Sequence, residues 1–139
     1  MLFDTYNIDP KGKAAAVFGQ GRLVGKPISH WLTAQGAKVN MIDELTTNPE
    51  KLSLQADVII SGVGKPGLIT ADMVRDNAIV IDYGYGKKGK TMAGDVDFEN
   101  VAKKSSLITP VPGGMGPLVV AAVLKNLVTL QDKNVSSVT

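Results

Sequence analysis

The stretch best suited to holding a small anionic ligand is Gly19-Gln20-Gly21-Arg22-Leu23-Val24-Gly25. Glycine at 19 and 21 leaves a turn without side-chain cover, so a ligand can approach the backbone closely. The free N–H groups and positive dipole end of a following helix favour a phosphate there. The spacing Gly19-x-Gly21-x-x-x-Gly25 is one residue longer than the usual dinucleotide fingerprint. A second group is Asp43-Glu44, which follows Gly21 by about 20 residues, the offset at which a carboxylate takes the ribose hydroxyls of NAD. The 2′-phosphate of NADP would instead meet like charge, a repulsion of up to roughly 4 kcal/mol per pair at about 4 Å and an effective dielectric of about 20. Arg22 works in the opposite sense, because a guanidinium near the turn favours that phosphate. A third group is Pro112-Gly113-Gly114-Met115-Gly116-Pro117, whose backbone N–H groups lie just ahead of a helix and suit a ligand carbonyl or a nicotinamide amide.

General acid/base chemistry has no comparable signature. His30, the sole histidine, falls on the first long helix and reads as a packing or surface residue, and no pair of acids forms a plausible catalytic set. No catalytic residue is assigned. The sequence has no cysteine, so it offers neither disulfides nor thiolate ligands, and no metal site is expected.

The elements that must position these groups follow from the pattern of apolar runs and breakers. Strands are expected at Ala14–Phe18, Lys38–Ile42, Val58–Ile60, Ala78–Asp82 and Leu107–Thr109. Met1–Tyr6 reads as the end of a helix. The helix after the glycine turn presents Ile28, Trp31 and Leu32 on one face, accepts Pro27 in its first turn, and stops at Gly36. Asn48-Pro49 reads as a cap and first helical residue, a short helix follows Thr70, and Asp97 caps a helix through Val101. The Lys/Gly-rich turn after Tyr83-Gly84-Tyr85-Gly86 suits a small hairpin. Breakers rule out regular structure across 110–117; Leu118–Leu130 forms a last apolar helix, and Gln131–Thr139 is a polar tail.

Short apolar strands alternating with helices predict an α/β, Rossmann-like three-layer domain, with about five mostly parallel strands and helices on both faces. Ligands in such sheets lie beyond the carboxyl ends of the strands. That brings Gly62, Val63 and Gly64 after the third strand, Gly84 and Tyr85 after the fourth, and Gly113 and Gly114 to one shared crevice with the glycine turn. The whole of 1–139 is read as one domain, large enough for a core without staples. A net charge of +2 with scattered basic residues argues against nucleic acid. No apolar run reaches membrane-spanning length and Met1–Pro10 lacks a signal-peptide pattern, so a cytoplasmic location is expected.

Five ordered segments carry a family resemblance: Gly19 with Val24-Gly25-Lys26-Pro27, Ala56-Asp57-Val58-Ile59-Ile60, Val80-Ile81-Asp82-Tyr83-Gly84, Gly94-Asp95-Val96-Asp97-Phe98, and Ile108 through Pro117. Together they resemble the bifunctional methylenetetrahydrofolate dehydrogenase/methenyltetrahydrofolate cyclohydrolase family, from about Met1 to Leu127. The resemblance implies the C-terminal NAD(P)-binding half of an enzyme that oxidises methylene- to methenyl-tetrahydrofolate and hydrolyses the product. It also implies a homodimer built largely through this domain, and tetrahydrofolate as a partner only together with an N-terminal domain. The family's catalytic Tyr and Lys belong to that N-terminal domain and match nothing here. The family usually has Gly-Arg-Ser after the first strand, gripping the 2′-phosphate, where this chain has Gly19-Gln20-Gly21; it commonly has His-Ser where this chain has Asp43-Glu44. Both departures favour NAD over NADP. Val119 and Gly86 replace a family Thr and Asn, which weakens the substrate and nicotinamide contacts. A cofactor half with little or no activity unaided is the expected function; the alternative is a non-catalytic nucleotide-sensing or dimerisation module on the same fold.

Overall fold

The computed structural model describes residues 1–136, with side chains through Gln131. The chain runs α1 (Leu2–Thr5), β1 (Ala14–Phe18), α2 (Gly25–Ala34), β2 (Lys38–Ile42), α3 (Pro49–Leu54) and β3 (Val58–Ser61). A single 3-10 turn at Ala71–Met73 precedes β4 (Ile79–Asp82), the hairpin β5 (Gly86–Lys88) and β6 (Thr91–Ala93), α4 (Phe98–Val101), β7 (Leu107–Ile108) and α5 (Met115–Ser136). The main sheet has the order β2-β1-β3-β4-β7, every neighbouring pair parallel.

Alternation along the strands divides the core into two layers. Ala16 and Phe18 of β1 point to one face with Ile59, Val80, Val74 and Val101. Ala15 and Val17 point to the other with Leu32 of α2, Val58, Ile60, Ile81 and Met115 of α5. Both faces are covered, which is why the strands read as continuous apolar runs. Each fully buried aliphatic side chain contributes about 1.5–3 kcal/mol relative to exposure.

Several local expectations change. The segment after Thr70 makes only the 3-10 turn, with Met73 and Val74 buried as expected. Trp31 is half exposed and meets Phe3 of α1 edge-on at 5.2 Å, instead of sharing the burial of Leu32. Asn48 adopts a left-handed conformation with φ of 52° and its side chain makes no capping bond. The last helix starts at Met115, inside the stretch expected to be irregular: Pro117 sits in the first turn, where a missing N–H has no intrahelical partner to lose. It also continues to Ser136, through most of the expected polar tail, because 131–136 contain no glycine or proline and polarity alone is not a stop signal. Residues 137–139 of that expected tail lie outside the described residues.

Candidate functional site

Strand order reverses at β1. From β1 the chain moves to β2 on one side and then to β3 on the other, so the carboxyl ends of β1 and β3 flank the crevice where open α/β sheets hold ligands. A cavity of about 560 Å³ opens there, lined by Gly19, Gln20, Gly21, Asp43, Glu44, Gly62 and Val63, with Thr46, Glu50, Lys65 and Met73.

Its floor is backbone. Gly19 has φ of +86° and donates its N–H to Ile42 O at 2.9 Å, while Gly62 N–H reaches Phe18 O at 3.1 Å. A β-carbon at Gly19 would lie 3.0 Å from Gly62 O, so the turn after β1 touches the loop after β3. Lys26 N–H closes the turn on Gly21 O at 3.0 Å, and Gly25 packs so tightly that a β-carbon would overlap the Gly19 carbonyl. Gln20 Nε2 donates to Val17 O at 2.9 Å, while its Oε1 is buried without a partner among the described residues.

Charge in the cavity is predominantly negative. Asp43, Glu44 and Glu50 face a single lining lysine, Lys65. Asp43 closes its own turn: Oδ1 accepts from Leu45 N–H and from Thr46 Oγ1, each at 3.0 Å. Glu44 Oε1 accepts from Lys65 Nζ at 3.2 Å across the mouth, an exposed pair worth about 0–1 kcal/mol.

The expected single crevice is in fact two concavities. Gly84, Tyr85, Gly113 and Gly114 line a separate space of about 380 Å³ with Asp82 and Tyr83. The loop after β3 packs against the loop after β4 and the start of β5: a β-carbon at Gly64 would lie 3.8 Å from Tyr85 O, and one at Gly86 2.7 Å from Gly64 O. Four residues assigned from sequence line neither space: Arg22, Val24, Gly25 and Gly64. Arg22 is exposed; Val24 and Gly25 serve the turn from behind, Val24 Cγ1 lying 3.0 Å from where a Gly62 β-carbon would sit.

Two buried acids hold the loops around these spaces, Asp82 at the edge of the second and Asp95 outside both. Asp82 Oδ1 accepts Gly84 N–H at 2.7 Å, Oδ2 accepts Val96 N–H at 2.9 Å, and its own N–H donates to Thr109 Oγ1 at 2.8 Å. Burial pushes the Asp82 carboxyl above the usual range, the Asp95 charge adds to the rise, and the N–H donors of Val96, Gly84 and Asp95 oppose it. The folded chain therefore holds this proton more firmly than the unfolded chain. The associated stability is complete below the ordinary carboxylate value of about 3.9 and is lost as pH rises through the folded value. Asp82→Asn turns an N–H₂ toward a backbone N–H and is expected to cost about 1–3 kcal/mol. Urea unfolding at a series of pH values checks both points: the difference from wild type is largest in acid and narrows as pH rises.

Over residues 1–135 the chain matches the family described as tetrahydrofolate dehydrogenase/cyclohydrolase, NAD(P)-binding domain. The chain belongs to this family. The bifunctional protein FolD of Nitratiruptor sp. is 51% identical over 127 residues, which are 91% of this chain and 45% of that protein. FolD of Moorella thermoacetica is 46% identical over 129 residues, covering 92% of this chain and 46% of its own length. Among solved structures, the FolD methylenetetrahydrofolate dehydrogenase/cyclohydrolase of Campylobacter jejuni superposes with a TM-score of 0.93 at 40% identity, over 96% of this chain and 48% of that one. The Trypanosoma brucei enzyme, solved with NADP and an inhibitor, gives 0.90 at 31% identity, over 96% and 48%. This chain spans about half the length of the curated relatives it matches.

Within this NAD(P)-binding domain, the sequence reading passed over Lys65, Thr46 and Glu50. Lys65 directly follows Gly64 and Thr46 lies two residues after Glu44, and that adjacency to expected ligand-facing residues is the signal that points to them; Glu50 reaches the cavity from the first turn of α3, a placement no local pattern announces. Among the described residues no cluster of three or more His, Asp or Glu side chains could hold a metal ion, and no helix is long and apolar enough to cross a membrane.

Proposed function

We propose that this chain is the dinucleotide-binding half of a methylenetetrahydrofolate dehydrogenase/cyclohydrolase-like protein and takes NAD in preference to NADP. The observation that carries the reading is the cavity at the strand-order reversal, where the glycine turn, the end of β2 and the loop after β3 meet. Its residues suit such a cofactor: nothing lies within 4 Å of a β-carbon built at Gly21, so the turn has open space in front of its backbone. The cofactor would supply hydride-transfer chemistry; the chain's part is to bind and orient it. Gly19–Gly21 would face the phosphates, Asp43 and Glu44 the adenosine ribose, and Gly84, Tyr85, Gly113 and Gly114 the nicotinamide end. Three carboxylates against one lysine support NAD, whereas the Trypanosoma brucei relative was solved with NADP.

With no general acid/base set assigned, the chain by itself turns over little or no folate, and tetrahydrofolate is a partner only together with a folate-binding half. A second reading has its own observation. Val120, Val123, Leu124, Leu127, Val128 and Leu130 of α5 are all exposed, an apolar surface that suits self-association or a nucleotide-sensing module docked on another protein. A homodimer is compatible with both readings. Calorimetric titration with NAD and NADP tests the first: NAD binds more tightly, NADP binding as well or better defeats the preference, and no binding of either defeats the reading. Turnover on adding the folate-binding half of a relative separates it from the second.

A further inference from the structure

We infer that Asp95 is a positioning residue for the crevice: its carboxylate fixes the loop after β3 against the loop after β4, and so places the wall a dinucleotide would meet. This rests on the dinucleotide reading above, and it adds a residue that lines neither concavity.

Asp95 is fully buried. Its Oδ2 accepts two bonds, from Ser61 Oγ at the end of β3 at 2.6 Å and from Val63 N–H in the loop after it at 2.7 Å. Val63 is thereby held over the glycine turn, with Cγ2 3.2 Å from where a Gly19 β-carbon would sit. On its other side the Asp95 carboxyl lies flat against Gly84, where a β-carbon would overlap it. Only glycine fits at 84, and that contact brings the loop after β4 up to the same carboxyl.

Asp95 is itself anchored at two further points, one later in the same connection after β3 and one at the end of β4. Ile69 N–H donates to Asp95 O at 2.9 Å, and Asp82, rooted in β4, takes the neighbouring Val96 N–H. Gly94 packs against Asp82 as closely as Gly84 packs against Asp95. The two acids therefore cross-brace three segments at the carboxyl edge of the sheet. Loops of glycine have little to hold them otherwise, because they bury almost no side chain. A carboxyl oxygen that ties the end of β3 and the loop after it to one point supplies that constraint, whereas an aliphatic residue would leave the Val63 N–H without this partner.

The test uses the full chain with Asp95→Ala, Asp95→Asn and Ser61→Ala. In the free protein, amide hydrogen exchange at Val63 speeds up by about tenfold or more in Asp95→Ala, the loss of one hydrogen bond's protection, while Leu45, tied to Asp43, is unchanged. Asp95→Asn restores most of the protection, because its Oδ1 still accepts both bonds. Ser61→Ala, which leaves the Val63 bond intact, guards against a failure of Asp95→Ala to fold: it gives a smaller change in the same loop. Dinucleotide titration well below the melting temperature then shows Asp95→Ala weakened by about tenfold and Asp95→Asn close to wild type. A purely structural role predicts lower melting temperatures with unchanged affinity, and that result overturns the inference. So does exchange that rises across the whole sheet or not at all at Val63. Failure of the wild-type chain to bind NAD or NADP overturns the dinucleotide reading instead, and the exchange data still decide the bracing.

Discussion

Gly25→Ala is expected to cost about 3 kcal/mol or more in stability, although alanine is the better helix former by about 1 kcal/mol. Gly25 is the buried first residue of α2, and its φ is not in the left-handed region, so the penalty is purely steric. A β-carbon there would overlap the Gly19 carbonyl, which is backbone and has no rotamer by which to retreat. Nor can Gly19 itself move away, since its N–H is bonded to Ile42 and it touches Gly62 on the far side. Denaturant unfolding gives the size of the loss. Gly21→Ala, four residues earlier, should behave in the opposite way. With open space around its β-carbon, stability stays within about 0.5 kcal/mol of wild type. A methyl group there stands in front of the turn, however, and dinucleotide affinity should fall by about tenfold, or 1.4 kcal/mol. Two glycines of one motif thus separate by mechanism: one is kept for packing, the other for what approaches it. Unchanged affinity in Gly21→Ala would place the ligand away from the turn.

That separation marks where the sequence was legible. Strands such as Val58–Ser61 and Ile79–Asp82 announce themselves because parallel strands buried on both faces leave little room for anything but aliphatic residues. The carboxyl-edge loops follow from the strands, since βαβ connectivity places them all at one end. Helix ends were less legible. Pro117 and three neighbouring glycines look like breakers, yet the first turn of a helix tolerates them, and α5 begins two residues before that proline. The division into two concavities was hidden because it depends on how the loops after β3 and β4 pack, a long-range contact between glycine-bearing segments. Asp82 and Asp95 were visible as residues but not as braces. Which backbone N–H a buried carboxylate accepts is fixed by the tertiary fold, not by its neighbours in the chain.

The double substitution Asp43→Asn/Glu44→Gln should move cofactor preference toward NADP. The amide oxygen that replaces Asp43 Oδ1 can still accept from Leu45 N–H and Thr46 Oγ1, so the turn after β2 keeps its shape. The neutral amide that replaces the Glu44 carboxylate no longer offsets the charge of Lys65, and the ammonium becomes free to meet a phosphate. The cavity goes from three carboxylates and one ammonium to one of each. At an effective dielectric of about 20 each removed repulsion is worth up to roughly 4 kcal/mol at about 4 Å, but bulk water reduces it to about 1 kcal/mol. The Glu44 side chain is 85% exposed, so its share belongs near the lower figure. NADP affinity should therefore rise by about tenfold to a hundredfold while NAD affinity changes little. Titrations at low and high salt provide the control, because a gain of electrostatic origin between exposed groups shrinks as the screening length falls from about 10 Å at 0.1 M to about 3 Å at 1 M. An NADP affinity that does not move would mean that the adenosine 2′ position lies away from the space between β2 and Lys65. The carboxylates would then serve the turn alone, and the argument for NAD would lose its physical basis.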